Sequence, residues 1–193
     1  MSYNTDLARR LMRLKLVTQP HVIIHIELVT KKAVEIGEIL KKRGFNVNIE
    51  LLEMGSYLHD IGRSVTHGVS HGVESARIIR QFGFPEPLIR LVERHVGSGI
   101  TTEEAKKLGL PEKDYLPETL EEKILTYADK FFESELVFKT VKGEQIADRK
   151  DVEYDSIEPT LNRFRKLFGQ RSPVVLRLER LRDEMEEYLK KPF

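Results

Sequence analysis

The sequence predicts an all-α fold, a single-domain helical bundle that spans residues 1–193. Apolar residues recur at helical spacing along almost the whole chain, and no segment shows a convincing alternation of apolar and polar positions. Hydrophobic residues make up 40% and charged residues 33% of the 193 residues, as is typical of a globular chain with one sizeable core. No apolar run approaches the roughly 20 residues that span a bilayer, and the N-terminus lacks a hydrophobic signal core. We therefore expect a cytoplasmic protein with no membrane partner.

Five helices are predicted before residue 96, each from an apolar stripe at helical spacing between residues that begin or end helices. They comprise residues 5–16 before Pro20, about 21–43 before Gly44, a segment capped by Asn48 that runs through Leu58, a segment capped by Ser70 that ends at Gly83, and a short segment from Leu88 to near His95.

The second half of the chain is predicted to contain further helices around one irregular segment. Thr101 with Glu104, and Thr119 with Glu122, match the capping box that opens a helix. Residues 139–155, KTVKGEQIADRKDVEYD, are charged and poorly periodic, so we expect a mobile loop there. Two more helices, about 157–168 and 173–190, close the chain.

Charge and cysteine content exclude several functions. The chain has 32 basic and 31 acidic residues, and a net charge of +1 provides no overall attraction for nucleic acid. This balance argues against a nucleic-acid partner. The absence of cysteine excludes disulfides, thiolate metal sites and a cysteine nucleophile.

The most informative short motif is His59 followed directly by Asp60. Adjacent helical side chains point about 100° apart, so the pair can hold one ion only where the helix ends or turns. Gly62 provides such an ending. An imidazole with a carboxylate suits zinc, manganese, iron, cobalt or nickel better than calcium. A bare His-Asp pair is nevertheless common, and alone it favours an exposed pair that binds nothing.

Two further polar residues lie within apolar helical segments. His25 is flanked by Ile24 and Ile26, and Asp129 lies in ILTYADKFF. A lone histidine in such a helix is usually a hydrogen-bonded core residue, whereas a buried carboxylate without a partner is very costly. A metal ion held by His25, His59, Asp60 and Asp129 explains both positions.

The order of these residues in a helical chain resembles the HD superfamily of metal-dependent phosphohydrolases. The resemblance is carried by four segments with family-like order and spacing: HIELVTKKAVEIGEIL, LLEMGSYLHDIGR, SHGVESARIIRQFGFPEPLIRLVERHVG and EEKILTYADKFF. It covers about residues 20–135 and implies a helical bundle of the HD-domain type with its metal-binding core there. Residues 156–193 are then a C-terminal helical extension.

His71 and His95 match the positions at which some members of this superfamily hold a second metal ion. The resemblance implies that Asp60 bridges two ions, with His25, His59 and Asp129 on one and His71 and His95 on the other. The alternative is a single ion with His71 and His95 around it. The expected cofactor is therefore one or two divalent transition-metal ions, namely iron, manganese, zinc, nickel or cobalt.

Such a site implies hydrolysis of a phosphate ester or anhydride by metal-activated water. We assign catalytic roles to Asp60, as a metal ligand, and to Arg63. Arg63 is also the first candidate for substrate binding, because a guanidinium can bind phosphate in a bidentate way. Lys130 is a weaker candidate for substrate binding. His67 is expected in a loop before a helix, as a substrate contact or an exposed residue, and His21 is expected to begin a helix without a functional role.

The subgroup that the sequence resembles consists of bacterial di-metal HD enzymes that split dinucleoside polyphosphates such as diadenosine tetraphosphate. A nucleotide or dinucleoside polyphosphate is therefore the first substrate expected, as a small phosphorylated partner. Two alternatives stay open: a di-iron oxygenase of the same superfamily, and a non-catalytic nucleotide-sensing or binding module. A homodimer also stays open.

Overall fold

The computed structural model describes residues 4–141 and 144–190, with side chains for all of these except 134–148. The described part of the chain is mostly helical and confirms the predicted fold class. Its elements are α1 (Thr5–Lys15), α2 (Pro20–Lys42), α3 (Ile49–Leu58), a 3-10 turn (Ile61–Ser64), α4 (His71–Gln81), α5 (Glu86–Glu93), α6 (Thr102–Lys107), α7 (Leu120–Asp129), β1 (Phe132–Val141), β2 (Glu144–Glu153), α8 (Glu158–Phe168) and α9 (Pro173–Lys190).

The helix starts agree with most of the capping predictions. The Asn48 side chain accepts a hydrogen bond from the Leu51 amide, and both capping boxes, opened by Thr101 and Thr119, are formed. Ser70 occupies the N-cap position of α4, as predicted, but its side chain makes no capping hydrogen bond. At the start of α4, the Nδ1 atom of His71 lies 2.8 Å from the Gly68 carbonyl oxygen.

The prediction of a loop over residues 139–155 is wrong for residues 139–141 and 144–153, and residues 142–143 lie outside the described part of the chain. Strands β1 and β2 pair antiparallel, from Phe132 opposite Glu153 to Val141 opposite Glu144. The sequence of β2, EQIADRKDVE, has few apolar residues, so its hydropathy gives no strand signal. A two-stranded ribbon is held by its backbone hydrogen bonds and does not require a buried face along its whole length. We call this β1–β2 unit the hairpin.

The hydrophobic core consists of several clusters that meet around α3. The largest joins residues of α2 and α7 with α8 and α9, including Ile36, Ile124 and Leu178, which are fully or almost fully buried. A second cluster joins α1, α3, α4 and α5. Of the two C-terminal helices, α9 packs directly on α2 and α7, and α8 packs on α9. None of the described helices is long and apolar enough to cross a membrane.

Candidate metal centre

His59 and Asp60 lie at the point where α3 gives way to the 3-10 turn, and both are buried. The change in backbone path lets these adjacent side chains face the same interior space. Gly62 permits the close approach of α4, since a Cβ atom there would lie 2.1 Å from the His71 carbonyl oxygen. The buried Ser75 hydroxyl accepts a hydrogen bond from the Gly62 amide at 2.8 Å and donates one to the His59 carbonyl at 2.7 Å. These contacts join α3 to α4.

Three of the site histidines are oriented by backbone carbonyls three residues earlier in the chain. The Nδ1 atoms of His59, His71 and His95 lie 2.7, 2.8 and 2.7 Å from these oxygens. A carbonyl oxygen only accepts, so each Nδ1 must carry the proton. In its neutral form, each ring therefore presents the lone pair of Nε2 to the interior, where it can act as a ligand.

The two carboxylate oxygens of Asp60 face different pairs of histidines. Its Oδ1 atom lies 3.2 Å from Nε2 of His71 and 3.4 Å from Nε2 of His95. Its Oδ2 atom lies 3.9 Å from Nε2 of His25 and 3.8 Å from Nε2 of His59. Asp60 thus stands between two groups of potential ligands.

Asp129, the last residue of α7, completes the group around His25 and His59. Its Oδ1 atom lies 3.1 Å from Nε2 of His25 and 3.9 Å from Nε2 of His59. The structure therefore brings together all six residues proposed from the sequence as metal ligands: His25, His59, Asp60, His71, His95 and Asp129.

The protonation states of His59, His71, Asp60 and Asp129 suit metal binding. Burial lowers the pKa of His59 to about 3 and that of His71 to about 4, so both rings are neutral at pH 7. Burial alone would raise the pKa of Asp60 and Asp129. Interactions with neighbouring groups outweigh it, chiefly with His59 and Arg63 for Asp60 and with Lys130 for Asp129, and hold both pKa values well below 3.8.

The spacing of the ligand atoms also fits a metal ion. Two ligand atoms at about 2.1 Å from one ion are about 3 Å apart at a right angle and farther apart at wider angles. The contacts between histidine Nε2 and carboxylate oxygen atoms run from 3.1 to 3.9 Å. Among the described residues, the buried Nε2 atom of His59 has no hydrogen-bond partner. The cluster is thus compatible with a divalent metal ion, although this set of nitrogen and oxygen ligands does not define which one.

The proposed substrate-binding residues border a cavity of about 580 Å³ beside this cluster. Arg63 forms an ion pair with Asp60, and Lys130 forms one with Asp129. His67 is exposed in the turn before α4, as expected for a residue outside a helix. His21 does begin α2, but it also borders the cavity, a position that the sequence did not indicate.

Four charged residues at the cavity were missed by the sequence interpretation: Glu133, Arg149, Asp151 and Arg163. Arg149 and Asp151 come from β2, and Arg163 comes from α8, where it pairs with Glu133 at 2.8 Å. The Oδ1 atom of Asp151 lies 3.4 Å from Nδ1 of His25. Because residues 139–155 were interpreted as a loop, no sequence signal placed a side chain from this segment near the metal ligands.

The helical bundle and its histidine–aspartate cluster define a class of helical proteins with a potential metal site. Comparison with known families identifies the family. The HD domain family matches residues 22–133, and this chain belongs to that family. The match contains all six clustered residues and ends just after β1 begins.

Comparison with individual proteins gives matches along nearly the whole chain. An uncharacterised protein of Methanocaldococcus jannaschii is 42% identical over 185 residues, which are 96% of this chain and 99% of that protein. A tRNA (cytidine(56)-2'-O)-methyltransferase of Picrophilus torridus is 35% identical over 175 residues, which are 90% of this chain and only 48% of that enzyme. The HD domain of the Listeria monocytogenes phosphodiesterase PgpH, solved in complex with cyclic-di-AMP, superposes with a TM-score of 0.52 at 19% identity, covering 93% of this chain and 95% of that one. At that identity the likeness supports the fold alone.

Proposed function

We propose that this protein is a metal-dependent phosphohydrolase whose site holds two divalent ions bridged by Asp60. The observation that carries the proposal is the position of the two Asp60 oxygens, one toward His71 and His95 and the other toward His25 and His59. A carboxylate placed in this way can bind one ion through each oxygen. When bound, such ions lower the pKa of a coordinated water toward neutrality and so supply hydroxide for hydrolysis.

The residues of the cavity supply the charge that a phosphate substrate needs. Arg63 and Lys130 lie beside the proposed ligands, and Arg149 and Arg163 also line the cavity. Arg63 is the strongest candidate for direct phosphate binding, because its guanidinium can donate two parallel hydrogen bonds to phosphate oxygens. Its ion pair with Asp60 holds it against the reacting region. Lys130 is held in the same way by Asp129, and exposed His67 is a further contact from the turn.

The substrate that we place first is a nucleotide or a dinucleoside polyphosphate, as the likeness to HD-type diadenosine tetraphosphate hydrolases suggests. A cavity of about 580 Å³ lies within the usual size range for small-molecule sites. Its several cationic side chains can neutralise more than one phosphate group. Cyclic-di-AMP, which accompanies the PgpH HD domain in its crystal structure, is a second dinucleotide to compare.

An RNA phosphate is a second candidate substrate. The chain matches about half of an enzyme named as a tRNA methyltransferase, so an HD domain of this sequence type is joined to a tRNA-modifying enzyme in that relative. The overall charge of +1 gives no broad attraction for RNA. Recognition would therefore depend on the local positive charge of Arg149 and Arg163 at the cavity.

The test is a product-release screen with the metal-loaded protein under anaerobic and aerobic conditions. The substrates are diadenosine tetraphosphate, nucleoside mono- and triphosphates, cyclic-di-AMP and tRNA. We expect anaerobic release of phosphate or nucleotide from a nucleotide substrate. Activity that requires oxygen and a reduced iron centre would indicate the oxygenase alternative instead. A nucleotide that binds tightly and is never cleaved would indicate a sensor.

A further inference from the structure

The four site histidines are not held in the same way. His59, His71 and His95 lie at or just beyond a helix terminus, where carbonyls are available to accept from Nδ1. His25 lies within α2, where backbone carbonyls already accept helical hydrogen bonds. Its Nδ1 atom therefore needs an acceptor from another element of the fold.

Asp151 of β2 is placed to be that acceptor. Its Oδ1 atom lies 3.4 Å from Nδ1 of His25, slightly beyond the usual range of 2.7–3.2 Å for an N–H···O hydrogen bond. The Asp151 side chain is 3% exposed. Both atoms are buried, and neither has a hydrogen-bond partner among the described residues. A small approach of the two side chains would satisfy both atoms at once.

We infer that Asp151 is a positioning residue for His25, a role that rests on the proposed metal site. By accepting from Nδ1–H, the Asp151 carboxylate keeps the proton on that nitrogen and leaves the lone pair on Nε2. The Nε2 atom then faces Asp129, 3.1 Å away. A carboxylate on the far side of a ligating imidazole orients the ring and strengthens it as a ligand. Asp151 contacts the side of the ring that faces away from the proposed ions, so it is not itself a ligand.

Contacts with α2 hold the hairpin at a position where Asp151 lies beside His25. Glu153, two residues after Asp151 on the same strand, pairs with Lys32 at 3.1 Å. Lys32 follows His25 by seven residues, about two helical turns, and therefore lies on the same side of α2. Immediately after β2, the Tyr154 amide donates to the Phe131 carbonyl at 2.8 Å. The hairpin lies almost entirely beyond residues 22–133, so it adds a metal-positioning element outside the matched HD region.

The test compares zinc affinity in Asp151→Ala, Asp151→Asn and the control Asp155→Ala, using competition with a chromogenic chelator. Asp155 is an exposed aspartate just after the same strand. We expect Asp151→Ala to weaken the affinity for one of the two ions by about 10- to 100-fold. Asp151→Asn should lose less, because its amide oxygen can still accept a hydrogen bond. Asp155→Ala should match the wild type, and thermal unfolding without metal should show that each variant is folded.

Three outcomes separate this inference from the proposed function. Weakened binding of one ion by both Asp151 variants, together with loss of the exchangeable Nδ1 proton signal of His25 in Asp151→Ala, supports the inference. Wild-type affinity in both variants overturns it and leaves the metal site intact. A wild-type protein that binds no zinc, manganese or iron overturns the proposed function itself. If Asp151→Ala does not fold, the zinc affinity of Asp151→Asn alone tests the inference. Weakened affinity supports it, and wild-type affinity overturns it.

Discussion

The Nε2 atoms of His71 and His95 lie 3.1 Å apart, although each ring carries its proton on Nδ1. When both rings are neutral, their lone pairs repel each other at this distance, and both also face the Asp60 Oδ1 atom at 3.2 and 3.4 Å. A cation bound among these three atoms removes the repulsion. The arrangement therefore supports our proposal of a second metal ion at this pair of histidines.

We predict that His71→Gln and His95→Gln each reduce the metal content from two ions per chain to about one. Each substitution removes an imidazole from only one of the two groups around Asp60. The measurement is elemental analysis after metal loading and desalting. His67→Gln is the control, because His67 is exposed at the cavity and lies outside both groups. Retention of two ions by both variants would mean that the pair does not bind metal.

We predict that Ser75→Ala destabilises the protein by about 1–3 kcal/mol, since it leaves the Gly62 amide without its partner and removes a donor from the His59 carbonyl. Urea unfolding of the metal-free protein measures the change. Ser56→Ala is the matched control. Ser56 is equally buried, but its hydroxyl donates to the Leu52 carbonyl within the same helix. An equal loss of unfolding free energy in both variants would show that the hydrogen bonds between α3 and α4 contribute no more stability than a hydrogen bond within one helix.

We predict that the metal-free protein is most stable near pH 6.5. As pH falls below 6.5, the unfolded chain protonates at His59 and His71 while the folded chain does not, because their pKa values are about 3 and about 4. Each of these two histidines then lowers the free energy of unfolding by about 1.4 kcal/mol per pH unit, until the pH reaches its pKa in the folded chain.

His25 has the opposite effect. Burial opposes protonation of His25, but Asp129 and Asp151 outweigh it and raise its pKa to about 10. That stabilisation is complete below pH 6.5 and is lost as pH rises to about 10.

Denaturant unfolding in a chelator at pH 5, 6.5 and 8.5 tests this pH dependence. His71→Gln should flatten the acid side of the curve, because it removes one of the two groups that protonate only in the unfolded chain. An increase in stability from pH 6.5 to pH 5 would contradict the assignment of neutral, buried histidines.

We predict that Arg63→Lys keeps both ions but lowers kcat/KM for the hydrolysed substrate by about 10- to 100-fold. A lysine retains the charge next to Asp60 but cannot bind phosphate in a bidentate way, and a hydrogen bond to a charged group contributes about 1.5–3 kcal/mol. Arg77→Lys is the control, since Arg77 is half exposed on α4 and pairs with Glu74. Unchanged kcat/KM in Arg63→Lys would remove Arg63 from substrate binding.

The helices and the six clustered residues could be predicted from sequence because their signals are local or carried by motifs. Asn48, Thr101 and Thr119 each mark a helix start through a hydrogen bond within a few residues. His25 and Asp129 stand out as polar residues within apolar helical segments. His59, Asp60, His71 and His95 were found through the motif order that resembles the HD superfamily. The structure adds what spacing cannot provide, namely the separate directions of the two Asp60 oxygens.

The hairpin could not be predicted because its stability comes from pairing between strands. Ten residues of β1 pair with ten of β2, and the charged sequence of β2 gives no apolar alternation. The contact between Asp151 and His25 joins positions 126 residues apart by number, so it depends wholly on that pairing. Arg149 was missed for the same reason.

The most direct test of the central claim is the number of transition-metal ions that Asp60→Ala retains after loading, compared with the wild type and with Asp183→Ala on the exposed side of α9. We predict two ions per chain in the wild type and in Asp183→Ala. Asp60→Ala should lose both ions, and its hydrolytic activity should be lost with them. Full metal content in Asp60→Ala would contradict the bridged two-metal site.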